Sequence, residues 1–231
     1  MKPRTLASLT RALVGCEQCP RLRAHCATVA LEKRRAYRDE TYWGRPVPGF
    51  GDPRARLVIV GLAPGAHGSN RTGRMFTGDS SGDWLYAALH RVGFASQPTS
   101  TSRADGLRLD DCYITAAARC APPGNKPLPA ELERCRPWLA EELRLLDRTR
   151  VVLALGRIGH EAWLKASGWW TRLAPGERPR FAHAAEHAFD DGSTLLASFH
   201  PSRQNTQTGR LTAAMWQRVF TRARQLVDAG G

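Results

Sequence analysis

The stretch LVIVGLAPGAHGSNRTGRMFTGD, residues 57–79, decides the fold. Its first four residues, 57–60, are all apolar and rich in β-branched side chains, which is typical of a strand buried on both faces of a parallel sheet. A long Gly-rich loop follows, and residues 81–94 (SGDWLYAALHRVGF) predict an amphipathic helix. Open α/β sheets bind ligands at the carboxyl ends of their strands, so we expect the functional site in this loop.

The same order of strand, loop and helix recurs along the chain. Strands are predicted at 57–62, 112–117, 150–155 and 194–199. Helices are predicted at 3–13, 21–33, 81–93, 129–146, 156–167 and 209–227, with an insertion at 95–109 and a loop or short hairpin at 169–191. Because parallel strands need crossover helices, the pattern predicts an α/β fold, a three-layer α/β/α sandwich around a four-stranded parallel sheet.

The length of 231 residues and a hydrophobic content of 42% are enough for one large core. We therefore expect a single domain over residues 1–231, with an N-terminal arm at 1–35 that carries a CxxC pair. No apolar stretch reaches the ~20 residues that cross a membrane. Residues 1–13 lack the continuous apolar core of a signal peptide. These features predict a cytoplasmic protein without a membrane partner, and we expect a monomer.

The chain is strongly basic. It has 34 Lys and Arg against 21 Asp and Glu, a formal net charge of +13, and the excess is spread along the sequence rather than confined to a tail. A folded basic surface most often meets nucleic acid, although a generic solubility role or an anionic small substrate would also explain it. We predict a nucleic-acid partner.

Four of the six cysteines lie in two distant segments: Cys16, Cys19, Cys120 and Cys135. Four thiolates can close a tetrahedral zinc site or hold an iron–sulfur cluster. A zinc ribbon usually shows a second CxxC, and its absence here favours a cluster. Merely buried thiols or a redox pair are the alternatives. The other two, Cys26 inside a helical segment and Cys112 at the start of a strand, are interpreted as structural.

The loops that follow three strands carry Phe76, Asp79, Asn125 and His200. These residue types suit a nucleobase pocket, because an aromatic ring stacks on a base, an amide reads its Watson–Crick edge, and a His donates to an oxygen that gains charge. Each also has a plain structural explanation: a Phe in the core, an Asn in a turn, a His with a satisfied loop partner.

Two motifs and the four cysteines carry a resemblance to a known family. GLAPGAHGSNRTGRMFTGD at 61–79 and HPSRQNTQTGRLT at 200–212 resemble the uracil-DNA glycosylase superfamily, and closely its type B (family 5) branch from prokaryotes. The resemblance spans nearly the whole chain. It implies that the four cysteines hold a [4Fe–4S] cluster, with zinc as the other possible occupant.

The resemblance also implies roles for individual residues. Residues 61–65 would form the water-activating motif, with Ala63 and Gly65 beside the base. Phe76 would stack on the flipped base, Asn125 would read its edge, and His200 would meet the uracil O2. Asp79 is the expected acidic residue that orients the attacking water, so Asp79, Asn125 and His200 form the expected catalytic set.

The sequence departs from many relatives at Leu62 and Ala63, where they have an acidic or amide residue. The type B branch is similarly apolar there. A missing acidic group should widen the pocket, so we expect uracil to be one substrate among several deaminated or damaged bases, hypoxanthine included.

Two groups of polar residues are expected to hold DNA. The first is the run after His200, suited to the minor groove: Ser202, Arg203, Gln204, Asn205, Thr206 and Gln207. The second is Arg71 and Arg74, which are expected to contact phosphate. The partner would be damaged DNA, either duplex or single-stranded.

The leading hypothesis is a monofunctional DNA glycosylase that leaves an abasic site. No Lys lies inside the two motifs, which argues against a Schiff-base lyase. A non-catalytic, cluster-bearing nucleic-acid-binding module is the alternative, favoured only by the apolar pair at 62 and 63. A hydrolase of free nucleosides or nucleotides is a third class, which would not need so basic a surface.

Overall fold

The fold comes from a computed structural model, which describes residues 3–230. The α-helices are α1 Leu6–Val14, α2 Pro20–Glu32, α3 Ser69–Thr72, α4 Ser80–Arg91, α5 Pro129–Leu145, α6 Arg157–Ala166, α7 Trp169–Arg172, α8 Arg203–Gln207 and α9 Ala213–Ala229. The strands are β1 Phe50–Gly51, β2 Leu57–Gly61, β3 Cys112–Ala116, β4 Val151–Leu155, β5 Glu186–Ala188 and β6 Thr194–Ser198. Two 3₁₀ turns lie at Arg35–Tyr37 and Pro123–Asn125.

One mixed sheet of six strands runs through the described chain, in the order β1-β3-β2-β4-β6-β5. The four predicted strands form its parallel centre, and Ile59 of β2 pairs with Ile114 of β3 and Leu153 of β4. The predicted strand number of four is wrong, because β1 and β5 add antiparallel edges. Both edge strands are only two or three residues long, too short to leave a periodic pattern in the sequence.

Helices cover both faces of the sheet. Side chains alternate along β2, so Leu57 and Ile59 belong to one core while Val58 and Val60 belong to the other. The first core holds Leu85 and Leu89 of α4 and Val219 and Phe220 of α9. The second holds Leu139 of α5 and Trp163 and Leu164 of α6. The sheet is therefore buried on both sides, and the ends of its strands are the part left open to a ligand.

The six predicted helices are all present, with shifted ends. The short helices α3 and α7 lie in segments predicted as a loop and as a loop or short hairpin. The segment 200–208, predicted as a loop, contains the five-residue helix α8. The last helix begins at Ala213 rather than at 209, because Thr212 caps it by accepting a hydrogen bond from the Met215 amide at 3.2 Å. No helix among the described residues is both long and apolar enough to cross a membrane. One domain over 1–231 stays a prediction.

Candidate active site

Two loops meet at the carboxyl edge of the sheet. Phe76 lies in the loop after β2, and His200 lies two residues after the end of β6. Their ring centroids are 5.9 Å apart with an interplanar angle of 29°. Phe76 has a φ of 51°, a left-handed conformation that is unusual for a bulky side chain and is found at functional sites. Its ring lies against Gly61 at the end of β2, where a Cβ would approach it to 2.8 Å.

Asp79 caps helix α4 and keeps one carboxylate oxygen free. Its Oδ1 accepts hydrogen bonds from the amides of Ser81 and Gly82, both at 3.1 Å. Its Oδ2 faces the backbone of the first loop, since a Cβ on Gly65 would lie 2.8 Å from it and a Cβ on Gly68 would overlap it. No hydrogen bond to Oδ2 is found within residues 3–230, so this oxygen can accept one from water.

The electrostatics of Asp79 follow from the same arrangement. Burial raises the pKa of its carboxyl group, while the two amide hydrogen bonds from the helix end lower it. The helix dipole of α4 also favours a negative charge at this position. The carboxylate is therefore a base with a raised affinity for protons, held in one orientation.

His200 is held in place from two sides. The side-chain amide of Asn205 donates to the His200 carbonyl at 2.8 Å. The Ser81 hydroxyl, at the start of α4, donates to the Pro201 carbonyl at 3.1 Å, which ties the two loops together. Burial lowers the pKa of His200 to about 4, so its ring is neutral near pH 7 and can donate one hydrogen bond without carrying a charge.

Asn125 and Ala63 complete the predicted base-binding set. Asn125 ends the 3₁₀ turn after β3, with a left-handed φ of 57° and an exposed side chain. No hydrogen bond joins that side chain to any other described residue, so the structure does not link it to Phe76, Asp79 or His200. Ala63 is half-buried in the first loop and offers only a methyl group.

Arg71 does not face solvent as a phosphate contact would require. It is 7% exposed, stacks over Tyr37 at 3.9 Å, and pairs with Glu40. Its guanidinium also donates to the carbonyls of His67 at 2.8 Å and Gly78 at 3.1 Å. These partners already use the guanidinium to hold the first loop against the segment around Tyr37 and Glu40, so the structure does not leave it open to a phosphate.

Arg74 is likewise 4% exposed and enclosed. It donates to both oxygens of Asp105, at 2.9 and 2.6 Å, and to Thr77 and Ser100 at 2.9 and 2.7 Å. Burial raises the pKa of Asp105, but the hydrogen bonds, first among them those from Arg74, outweigh it and hold that pKa well below its usual range. The segment interpreted as an insertion, 95–109, thus supplies the partners of Arg74, which is also unsuited to phosphate.

The run after His200 divides into inward and outward residues. Ser202 caps α8 by accepting from the Asn205 amide at 3.4 Å, and Asn205 bonds the His200 carbonyl, so both serve the loop itself. Arg203, Gln204 and Gln207 are exposed, and their side chains have no hydrogen-bond partner among residues 3–230. These three residues are the part of the run that a nucleic acid could meet.

The four cysteines of the predicted metal set line one cavity. They come from four places: Cys16 after α1, Cys19 at the start of α2, Cys120 after β3 and Cys135 on α5. Burial raises the pKa of Cys19, and it raises that of Cys135 to about 12. No group of three or more His, Cys, Asp or Glu that could hold a single metal ion is found within residues 3–230.

Three positions have roles that sequence reasoning missed. Gly68 makes room for the Asp79 carboxylate, Ser81 bonds the second loop, and Asn205 positions His200 rather than facing outward. Cys26, interpreted as structural, is fully buried and its thiol lies within hydrogen-bonding reach of Cys120. Of these positions, only Gly68 could have been suspected from the sequence, because it is one of several glycines in a short loop.

Comparison with known proteins agrees with this geometry. Residues 48–224 match the Uracil DNA glycosylase superfamily. The chain is similar to the type-5 uracil-DNA glycosylase of Thermus thermophilus, with 52% identity over 219 residues that cover 95% of this chain and 97% of the relative. It is 50% identical to the type-5 enzyme of Mycobacterium tuberculosis (CDC 1551 / Oshkosh) over 223 residues, 96% of this chain and 82% of the relative. For the type-5 enzyme of Pyrobaculum aerophilum the identity is 46% over 218 residues, which cover 94% of this chain and 91% of the relative.

The two loops at the sheet edge and the matched relatives lead to one conclusion: the chain belongs to the uracil DNA glycosylase superfamily.

Proposed function

We propose that this protein is a type-5 uracil-DNA glycosylase, the class also called type B. It is a DNA repair enzyme that hydrolyses the N-glycosyl bond of uracil in DNA. The observation that carries the assignment is the meeting of Asp79, Phe76 and His200 at one edge of the sheet, in a chain about 50% identical to glycosylases over nearly its whole length. We further propose that it is monofunctional and leaves an abasic site.

The reaction needs two charges stabilised at once. As the glycosidic bond breaks, the sugar becomes an oxocarbenium-like cation and the base leaves as an anion. Asp79 serves the sugar side: its Oδ2 accepts a hydrogen bond from the attacking water, and its negative charge favours the nearby cation. Because Oδ1 is committed to the end of α4, the carboxylate cannot rotate away from the water.

His200 serves the leaving base. Its ring, neutral because burial lowers its pKa to about 4, donates a hydrogen bond to the uracil O2 as negative charge grows there. A neutral donor of this kind stabilises the anion without having to give up a proton. The bonds from Asn205 and Ser81 fix the loop on which the donor sits, so little reorganisation is needed during the reaction.

Phe76 and Asn125 would select the base. The Phe76 ring offers a flat face for a base flipped out of the DNA helix. To hold the ring in this orientation, the backbone of Phe76 adopts a strained left-handed conformation. Asn125 carries an amide with free donor and acceptor, which suits the Watson–Crick edge of uracil. With only Leu62 and Ala63 beside the pocket, we propose that other deaminated bases, hypoxanthine included, are also excised.

We propose that the cysteine cavity holds a [4Fe–4S] cluster, with zinc as the alternative occupant. The support for the cluster is that four thiols line one cavity, because four cysteines are the usual ligands of such a cluster. Cys16, Cys19, Cys120 and Cys135 would hold the cluster, whose contribution when bound is to join the N-terminal arm to the sheet. The protein is proposed to act as a monomer on damaged duplex or single-stranded DNA.

The test is incubation with an end-labelled duplex that carries one uracil opposite guanine, followed by alkali to break abasic sites. The wild-type protein should yield the cleaved strand, and the Asn125→Ala variant should yield far less. The Asn125 side chain is exposed and has no hydrogen-bond partner among residues 3–230, so its replacement should not unfold the protein. DNA binding without cleavage by the wild type would instead point to a non-catalytic binding module. A matched duplex with hypoxanthine tests the substrate range.

A further inference from the structure

The cysteine cavity is lined by arginines as well as thiols. Arg23, Arg119 and Arg134 all border it. The Nε atoms of Arg23 and Arg119 are buried and have no hydrogen-bond partner among residues 3–230. Buried donors almost always have a partner, because losing water without replacement costs free energy. Two such donors at one cavity indicate that an acceptor belongs there.

Arg119 is held rigidly by a buried carboxylate. It is 2% exposed, and its two terminal nitrogens donate to Glu142, one at 3.3 Å and the other at a shorter distance to the second oxygen. Glu142 also accepts from the Tyr113 hydroxyl at 2.9 Å and from Thr115. The backbone amide of Arg119 bonds the thiol of Cys135. Each terminal nitrogen thus gives one of its N–H groups to Glu142, while the buried Nε–H has no partner among residues 3–230.

Arg23 lies on α2, whereas Arg119 follows β3, so the two arginines come from different segments of the chain. One terminal nitrogen donates to the Gly44 carbonyl at 3.1 Å. The side chain also lies beside the thiol of Cys120, which it contacts electrostatically. Arg134, by contrast, is exposed, so solvent screens its charge.

We infer that Arg23 and Arg119 donate their Nε–H groups to the sulfurs of the bound cluster and raise its reduction potential. This inference depends on the cluster assigned to the cavity under the proposed function. A cluster held by four thiolates is an anion, and its reduced form carries one more negative charge. Positive charge and hydrogen bonds to its sulfurs therefore stabilise the reduced form more than the oxidised one. The two arginines are positioning residues for the cluster and take no part in base excision.

The experiment measures iron content and reduction potential on anaerobically purified full-length protein, by titration with dithionite while the cluster absorbance is followed. Arg23→Gln removes both charge and donor, and Arg119→Lys keeps a charge beside Glu142 but removes the Nε–H. Both variants should bind iron and show a lower potential than the wild type. Arg134→Gln, at the exposed rim, is the matched control and should shift the potential least.

The outcomes separate the two proposals. Iron-loaded variants with the wild-type potential would overturn the role of the arginines and leave the cluster standing. An equal shift in Arg134→Gln would also overturn it, since net charge rather than the buried donors would then be the cause. Wild-type protein without iron would overturn the cluster and this inference together. If Arg119→Lys does not fold, Arg23→Gln decides, because Arg23 contacts the Gly44 carbonyl and the Cys120 thiol but no buried carboxylate among residues 3–230.

Discussion

The two sides of the loop at residues 61–79 differ in how their polar groups are used. On the side facing His200, Asp79 keeps Oδ2 free and glycines clear the space around it. On the opposite side, Arg71 and Arg74 are buried. Both guanidinium groups form hydrogen bonds to other residues of the chain. The difference shows that saturated groups hold the loop, while the group with unused hydrogen-bonding capacity is available for chemistry.

Asp79→Asn should give the largest effect. Asparagine keeps an oxygen for the helix cap, so stability should hardly change. Its amide cannot accept the water's proton at the Oδ2 position, and loss of such a group typically costs 10²–10⁴-fold in rate. Single-turnover excision of uracil measures this, with Asp83→Asn, exposed in the first turn of the same helix, as control. A fall of less than about tenfold would remove Asp79 from the mechanism.

Arg74→Met should affect stability instead. It leaves the Asp105 carboxylate buried without its partner, and breaking a buried pair this way costs about 3–5 kcal/mol. Because the pKa of Asp105 is depressed in the fold, its ion pair stabilises the protein above the ordinary carboxyl pKa and is lost as pH falls below it. Urea unfolding at pH 7 and pH 3 should therefore show a smaller difference between variant and wild type at pH 3.

The control for that variant is Arg136→Met. Arg136 pairs with Glu133 on the exposed surface of α5, where such pairs contribute about 0–1 kcal/mol. A similar loss of stability in both variants would mean that the buried side of the loop is no more important than the surface.

Gly68→Ala should disturb the Asp79 side of the loop and leave the arginine side unchanged. The added Cβ would overlap Oδ2 of Asp79, so the carboxylate must move while the arginine contacts stay in place. Displacement of a catalytic group by about 1 Å can cost ~10²-fold in rate. We expect a loss of this order in single-turnover rate with a nearly unchanged melting temperature. Gly176→Ala, whose Cβ would meet nothing within 4 Å and whose φ is not in the left-handed region, controls for substitution of a glycine away from the site.

The neutral state of His200 predicts a pH dependence of stability. Its pKa is about 4 in the fold, because of burial, and 6.5 in the unfolded chain. The unfolded chain therefore takes up the proton first, and stability present above pH 6.5 is lost as pH falls towards 4, by up to about 1.4 kcal/mol per pH unit. His160, buried with a pKa also lowered to about 4, adds a second such contribution. Urea midpoints from pH 7 to pH 5 should fall less steeply in His200→Gln.

Arg203→Ala should give the smallest effect. The side chain is exposed and unpaired within residues 3–230, so its loss should weaken DNA binding a few-fold and reduce the salt slope by about 0.9 if it meets one phosphate. Folded Arg71→Ala protein should keep the wild-type slope, because Arg71 faces the chain interior. Binding titrations at several salt concentrations compare them, and a reduced slope in Arg71→Ala would reverse the assignment of the two arginines.

The sequence was sufficient for the central strands because each is a short apolar run between turn signals, as at Leu57 to Gly61. It was insufficient for β1 and β5, whose few residues pair only because a neighbouring strand already offers an edge. Tertiary contacts, which have no local pattern, decide such pairings.

For the site, residue types could be predicted but their directions could not. Arg71 and Arg74 sit three residues apart in a basic motif, which is also how a phosphate-binding pair would look. Whether they face DNA or the interior depends on Glu40 and Asp105, each 31 residues away in the chain. Asn205 likewise turned inward because α8, a helix too short for periodicity to reveal, directs it at the His200 carbonyl.

The hydrogen bond from Ser81 to the Pro201 carbonyl also bears on the timing of activity during synthesis. It joins parts of the chain 120 residues apart, and the second part belongs to the last strand and its loop. A nascent chain still lacking β6 has neither His200 nor the strand that positions it. Translation products that stop before β6 should therefore be unable to remove bases from DNA.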